Sequence, residues 1–237
     1  MKIAILGAMD QEVALLKSSL EDVRVEEYAH LQFYSGKLHG VDVVVAKCGI
    51  GKVAASVATT ILIDQYAPDF VVNTGSAGGF DPTLDIGDLV IASGVQHHDV
   101  DVTHFGYARG QVFGMPDIYP TDVRLIEAAE QAAEEVVHIT SKRGLICTGD
   151  SFIGCDEAVE RLRTLFPDMC AVEMEGAAIG QTCFMFDTPF LVIRSLSDIA
   201  GKSSSVSFKS YIDKAAKHSA ELVMGMIKRL KDIQLVG

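Results

Sequence analysis

The chain has 237 residues, 49% of them hydrophobic, which is enough apolar content for one large α/β core. Its 32 acidic against 20 basic residues give a net charge of −12, which excludes a protein built to ride on nucleic-acid phosphates and argues against attachment to anionic lipid. No apolar stretch approaches transmembrane length, and the 5 cysteines include no C-x-x-C pair, so neither a disulfide framework nor a zinc site is expected and a reducing cytoplasm is the expected compartment.

The chain opens on a six-residue apolar run ending in Gly7, too short for a signal-peptide core and suited to a buried first strand at residues 2–7. A helix is predicted at 11–20, then strands at 31–35 and 41–47, a helix at 53–66, and strands at 70–73 and 89–94. Further on come a helix at 122–135, a strand at 143–147, a helix at 157–166, a strand at 171–173, a helix at 175–186 and a strand at 190–194. The last element is a helix at 208–230, in which Phe208, Tyr211, Ile212, Ala215, Leu222, Val223, Met226 and Leu230 keep a three-or-four spacing and form one apolar stripe. Several strands are continuous Val/Ile/Leu runs of the kind buried on both faces. The expectation is a three-layer α/β/α sandwich with a central mixed, largely parallel twisted sheet. Pro and Gly are dispersed through turns and no linker or repeat is visible, so residues 1–237 read as a single domain.

Five of these strands run into small or acidic clusters: Gly7 to Glu12, Asn73 to Gly79, Thr148 to Ile153, Val172 to Gly176 and Arg194 to Asp198. Ligands of open α/β sheets bind beyond the carboxyl ends of the strands, so these segments are expected to meet on one rim. Two other motifs invite a different reading. Gly49-Ile50-Gly51-Lys52-Val53-Ala54 follows a strand and opens a helix, as dinucleotide fingerprints do, but Asp69 begins the next strand where a ribose-binding acid should end it. The polar run from His97 to His104 is rich in metal-ligand residue types, yet its spacing matches no helical i, i+4 pair and no familiar zinc pattern; a polar loop, as at a subunit contact, accounts for it.

The carboxylates weigh more when taken together. Glu12 alone suits a favourable place in a first helical turn, and Asp198 alone suits a helix cap or a turn. Glu12, Glu173, Glu175 and Asp198 would however crowd one rim, with Arg194 the one cation close in sequence. Crowded carboxyls are the condition for one to act as acid and another as base.

Gly7 to Val13, Gly49 to Val53, Asn73 to Gly79, Gly87-Asp88, Gly149 to Phe152, Val172 to Glu175 and Ser197-Asp198 resemble, in order and along nearly the whole chain, the bacterial 5′-methylthioadenosine/S-adenosylhomocysteine nucleosidases of the purine nucleoside phosphorylase superfamily. The resemblance implies a nucleoside phosphorylase-like fold and a cytoplasmic homodimer without cofactor or metal. It implies hydrolysis of the N-glycosidic bond of 5′-methylthioadenosine, S-adenosylhomocysteine and 5′-deoxyadenosine to adenine and the 5′-substituted ribose. That cleavage leaves positive charge on the sugar and negative charge on the base, so it needs an acid at the purine and a base-activated water at C1′. Asp198 resembles the acid, oriented by Ser197, and Glu12 the base, with Arg194 and Ser76 in its polar network. Glu175 is placed to accept both ribose hydroxyls beside Glu173, with Met174 packed beneath the sugar. Phe152 offers a stacking face, the Ile153 backbone pairs with the purine edge, and Gly78 lets the backbone approach. Met9, Ile50 and Phe208 would form the 5′ slot, joined by Val102, Phe105 and Phe113 from a partner subunit; ordinary core packing suits these six apolar side chains as well.

Three segments depart from the family pattern: the helix after Glu175 carries Gly176 and Gly180, each costing about 1 kcal/mol against Ala, Arg194-Ser195-Leu196 differs in its small residues, and residues 110–119 match poorly. Two other readings stay open. A phosphorylase would need arginines to clamp phosphate, and none occurs after the first strand. A non-catalytic nucleoside-binding protein of the same fold would be expected to lack the acid or the base.

Overall fold

A computed structural model of the chain describes residues 1–135, 139–200 and 204–236. The elements are β1 (Lys2–Gly7), α1 (Asp10–Ser18), β2 (Glu21–Tyr28), β3 (Leu31–Leu38), β4 (Val41–Lys47), α2 (Lys52–Tyr66), β5 (Phe70–Gly79) and β6 (Leu89–His97). They continue with β7 (Tyr119–Pro120), α3 (Val123–Ala133), β8 (Ser141–Thr148), α4 (Asp156–Leu165), β9 (Met169–Glu173), α5 (Gly176–Met185), β10 (Phe190–Ile199) and α6 (Ser204–Val236). Helices cover both faces of a mixed sheet, as the alternation of elements predicts.

The two-faced burial is written in the strands. In β1, Ile3 and Ile5 point to one side and Ala4 and Leu6 to the other, and all four are fully buried. β4 and β6 divide in the same way, as the period of two requires. On one face the sheet meets α1, α3 and α6 through Leu16, Leu125 and Met226, and on the other α2 and α5 through Ala58, Leu62 and Ile179. α4 packs Val159 and Leu162 against Cys147 and Val172 in a smaller cluster. Along α6 the predicted stripe is buried from Ile212 to Leu230, while Phe208 is half-buried and Tyr211 faces solvent.

β5 is the hub of the sheet. Its first half pairs in parallel with β1, nearly its whole length pairs in parallel with β10, and its last residues, Gly78 and Gly79, also pair antiparallel with β9. Because β10 also pairs with β6, β6 with β8 and β8 with β9, the strands β5, β10, β6, β8 and β9 close a ring, and β1, β4, β3 and β2 extend from it as an open wing. Closure curls the carboxyl ends of β5, β9 and β10 toward one another.

Several expected boundaries shift. β5 and β10 run on through Gly79 and Ile199, so the clusters Asn73 to Gly79 and Arg194 to Asp198 lie inside strands, with a bulge between Leu196 and Asp198. β2 is a strand the hydrophobic pattern misses: seven of its eight residues are exposed and five are charged, a composition that suits an edge strand guarded against further pairing. β7 is likewise unexpected, and α6 begins at Ser204, four residues before the apolar stripe. Gly180 answers the question of the glycines in α5: a Cβ there would sit 2.6 Å from Val95 and 2.9 Å from Phe190, so the helix lies closer to the sheet than Ala permits.

Candidate active site

Glu12 is the third residue of α1, and its side chain folds back over the helix start. Oε2 accepts from the backbone N–H groups of Ala8 (2.8 Å) and Met9 (3.0 Å), half of a capping box. Oε1 accepts from Ser76 N (2.9 Å) and Ser76 Oγ (3.1 Å) on β5. Glu12 is thereby fixed between α1 and the hub strand.

β10 supplies the opposite wall. Ser197 Oγ donates to Asp198 Oδ1 at 2.9 Å. The register sets Asp198 against Gly78, and a Cβ at Gly78 would stand 3.3 Å from Asp198 Oδ2. A glycine keeps that space open beside the Asp198 carboxyl.

Glu173 and Glu175 come from the β9–α5 junction. Glu173 Oε2 accepts from the N–H groups of Glu175 (3.0 Å) and Gly176 (2.7 Å), so it caps α5, while Oε1 accepts from Thr148 Oγ1. Thr148 Oγ1 in turn accepts from Ala177 N at 2.7 Å. Glu175 Oε1 accepts from Gly51 N at 2.9 Å, and its Oε2 lies 3.3 Å from Arg194 Nη2. Burial and the neighbouring Glu173 charge push the Glu175 carboxyl up to about 7, against the opposing pull of Arg194 and the Gly51 N–H.

Arg194 is the countercharge of the site, and it lies beneath the cleft floor instead of bordering the cleft. It is fully buried, donates to Asn73 Oδ1 at 2.5 Å, and pairs with both Glu173 and Glu175. Burial disfavours its charge, and the carboxylates of Glu173, Glu175 and Glu12 more than reverse that effect. The expected membership in the Glu12 network therefore operates through charge, with the hydrogen bonds going to Asn73 and the two other glutamates.

These residues enclose a cleft of about 280 Å³. Of the expected set, Met9, Glu12, Ile50, Ser76, Gly78, Phe152, Glu173, Met174, Glu175, Ser197, Asp198 and Phe208 border it. Ile153 borders an adjoining recess of about 30 Å³ shared with Gly78, Phe152, Val172 and Asp198. At the mouth Phe152 and Phe208 meet edge to face with ring centroids 5.9 Å apart. Val102, Phe105 and Phe113 do not border this chain's cleft; Phe105 and Phe113 are 65% and 52% exposed, with ring centroids 5.3 Å apart. The floor groups Asn73 and Thr148 and the lining residues Ala8, Ala77 and Val172 were not singled out from the sequence, although all but Ala8 and Thr148 sit in β5 or β9 and all five lie in the strand-end clusters.

The two motifs set aside in the sequence are accounted for nearby. Gly51 gives its amide to Glu175, and His97 is a buried side chain whose Nε2 lies 3.0 Å from Gln181 Oε1. Among the described residues no set of three or more His, Cys, Asp or Glu side chains gathers as a metal site.

The sequence matches the family described as the Phosphorylase superfamily over residues 2–228. It is 56% identical over 230 residues to the 5′-methylthioadenosine/S-adenosylhomocysteine nucleosidase of Anoxybacillus flavithermus, covering 97% of this chain and 99% of that protein. Among solved structures, the nucleosidase of that name from Colwellia psychrerythraea in complex with adenine superposes with a TM-score of 0.96 at 51% identity, over 97% of this chain and 96% of the other. The Neisseria meningitidis enzyme in complex with methylthio-immucillin-A gives a TM-score of 0.94 at 45% identity, over 96% and 98%. The chain belongs to the 5′-methylthioadenosine/S-adenosylhomocysteine nucleosidase family of the phosphorylase superfamily.

Proposed function

We propose that the protein hydrolyses the N-glycosidic bond of 5′-methylthioadenosine and S-adenosylhomocysteine, and of 5′-deoxyadenosine, releasing adenine and the 5′-substituted ribose, as a step of methionine salvage. The observation that carries this reading is the convergence of Glu12, Glu175 and Asp198 on one cleft from α1, the β9–α5 junction and β10. The adenine and the methylthio-immucillin-A held by the two solved relatives agree with it.

In this reading Asp198, oriented by Ser197, gives its proton to purine N7 as the bond from C1′ to N9 breaks. Glu12 takes a proton from the water whose oxygen forms the new bond to C1′. Glu175 accepts the ribose hydroxyls, Met174 packs beneath the sugar, Phe152 stacks on the base and the Ile153 backbone pairs with its edge. Met9, Ile50 and Phe208 receive the 5′ substituent. Among the described residues no arginine borders the cleft, which favours water over phosphate as the nucleophile.

The protein works as a cytoplasmic homodimer, with Val102, Phe105 and Phe113 completing the 5′ slot of the partner. The exposure of Phe105 and Phe113 supports this, as does an apolar face on α2 and α5 where Val53, Val57, Phe184 and Met185 meet solvent. No described helix is long and apolar enough to cross a membrane. Following adenine release from each of the three substrates with and without phosphate tests the reaction. Release without phosphate is expected; no release, or strict dependence on phosphate with formation of a ribose 1-phosphate, would overturn it. Phe105→Ala should raise KM for 5′-thioadenosines while the dimer mass persists, and a fully active monomer would refute the shared site.

A further inference from the structure

The glycine loop and the polar His/Asp run, whose polar groups the reaction as described does not use, are joined to each other and to Glu175. Three loops meet beside the cleft. Asp150, after β8, accepts Lys52 N–H on Oδ1 at 2.8 Å, and its own N–H donates to Asp99 Oδ2, after β6, at 3.0 Å. Asp99 Oδ1 then takes the Lys52 ammonium at 2.6 Å, closing the triangle. Burial works to raise the Asp99 carboxyl, but Lys52 and the Asp150 N–H outweigh it and hold the group below its ordinary range.

This triangle grips the start of α2, where the N-cap residue, Gly51, has no side chain with which to cap its own helix. The two successive N–H groups there, of Gly51 and Lys52, each go to a carboxylate, Glu175 and Asp150 respectively. Gly51 sits at φ +94°, ψ 162°, a conformation essentially confined to glycine, and a Cβ there would lie 3.0 Å from Asp150 Oδ1. The direction of the Gly51 N–H is therefore fixed by where Asp150 holds the next peptide.

We propose that Lys52, Asp99 and Asp150 are positioning residues: they brace the Gly51 amide so that it holds the Glu175 carboxylate in place for the ribose hydroxyls. The inference rests on the hydrolase reading above. Glu175 is faced by Glu173 from β9, Arg194 from β10, Glu12 from α1 and the Cys48 thiol from the loop after β4. Only Arg194 and the Gly51 N–H among these favour its ionised form. Loosening the amide should both free the carboxylate and make it harder to ionise.

The test compares Lys52→Met and Asp150→Ala with the wild-type protein, measuring kcat and KM for 5′-methylthioadenosine from about pH 5.5 to 9, and for an analogue lacking the 2′- and 3′-hydroxyls. The expected result is a KM raised about tenfold near neutrality, an acid limb displaced upward by about half a pH unit or more, recovery at alkaline pH, and little difference from wild type on the analogue. Lys52→Arg, which keeps the ammonium's role, should restore the wild-type profile. A loss of equal size at every pH, or of equal size on the analogue, would overturn the brace, because a merely loosened fold behaves that way. Thermal unfolding run alongside identifies a variant that fails to fold, and Lys52→Met, on a partly exposed side chain, then decides alone. An active wild type with unchanged variants refutes the brace only; a wild type that releases no adenine overturns the hydrolase reading and the brace together.

Discussion

Glu12→Gln separates the structural and chemical duties of one side chain. The carboxylate receives four donors, two backbone N–H groups on Oε2 and the Ser76 N–H and hydroxyl on Oε1. A glutamine amide must turn its NH₂ toward one of those pairs. Turned toward Ala8 and Met9 it faces two N–H groups that cannot accept; turned toward Ser76 it faces one, since the hydroxyl can rotate and become the acceptor. The second orientation is cheaper and still leaves the Ser76 N–H buried without an acceptor. That costs roughly 1–3 kcal/mol, to which the lost charge assistance adds. With about 2 kcal/mol as the centre and about 2–4 °C per kcal/mol for a chain of this size, Tm should fall by about 4–8 °C. Turnover should fall by about 10²-fold or more, because the amide cannot accept the proton of water. Adenine release and thermal melting on the same preparation check both. A variant with near wild-type turnover would remove Glu12 as the base, and one with unchanged Tm would show that its four hydrogen bonds do not hold α1 to β5 as argued.

Asp198→Asn should lower turnover by about 10²-fold or more in the same adenine assay, since an amide has no proton to give N7. Arg194→Met leaves Glu173 and Glu175 buried without their cation and should destabilise the protein by about 3–5 kcal/mol in chemical denaturation, far beyond the effect of losing a surface arginine. Glu175→Gln should gain stability relative to wild type as pH rises. A carboxyl whose folded value is lifted to about 7 binds its proton more tightly folded than unfolded, so ionisation erodes stability between about pH 4.5 and 7 and the benefit of the amide grows across that window. Denaturant midpoints at about pH 5 and 8 give the comparison, and a benefit that shrinks with rising pH would contradict the sign. Phe184→Glu with Met185→Glu puts charge on the apolar face of α5 and should yield monomers with impaired 5′-thioadenosine binding, read from mass and KM together.

The sequence alone determined the strands with strong local signals. β1, β4 and β6 are Val/Ile/Leu runs whose alternate residues enter two cores, and the stripe of α6 repeats every three or four residues. It also marked Glu12, Glu175 and Asp198, because chemically unusual clusters beside buried strands stand out in a linear reading. β2 escaped it, since an exposed charged edge strand carries no apolar alternation and is made a strand by its pairing with β3. The continuation of β5 and β10 through their small-residue clusters likewise depends on each strand finding the other. Only the tertiary structure decided that Arg194 lies under the floor between Glu173 and Glu175, that Thr148 and Glu173 cap α5, and that the Gly51 amide reaches Glu175. These contacts join residues distant along the chain, and some are made by backbone N–H groups that nearly every residue carries; sheet register and ring closure choose which of them meet, and no side-chain pattern records that choice.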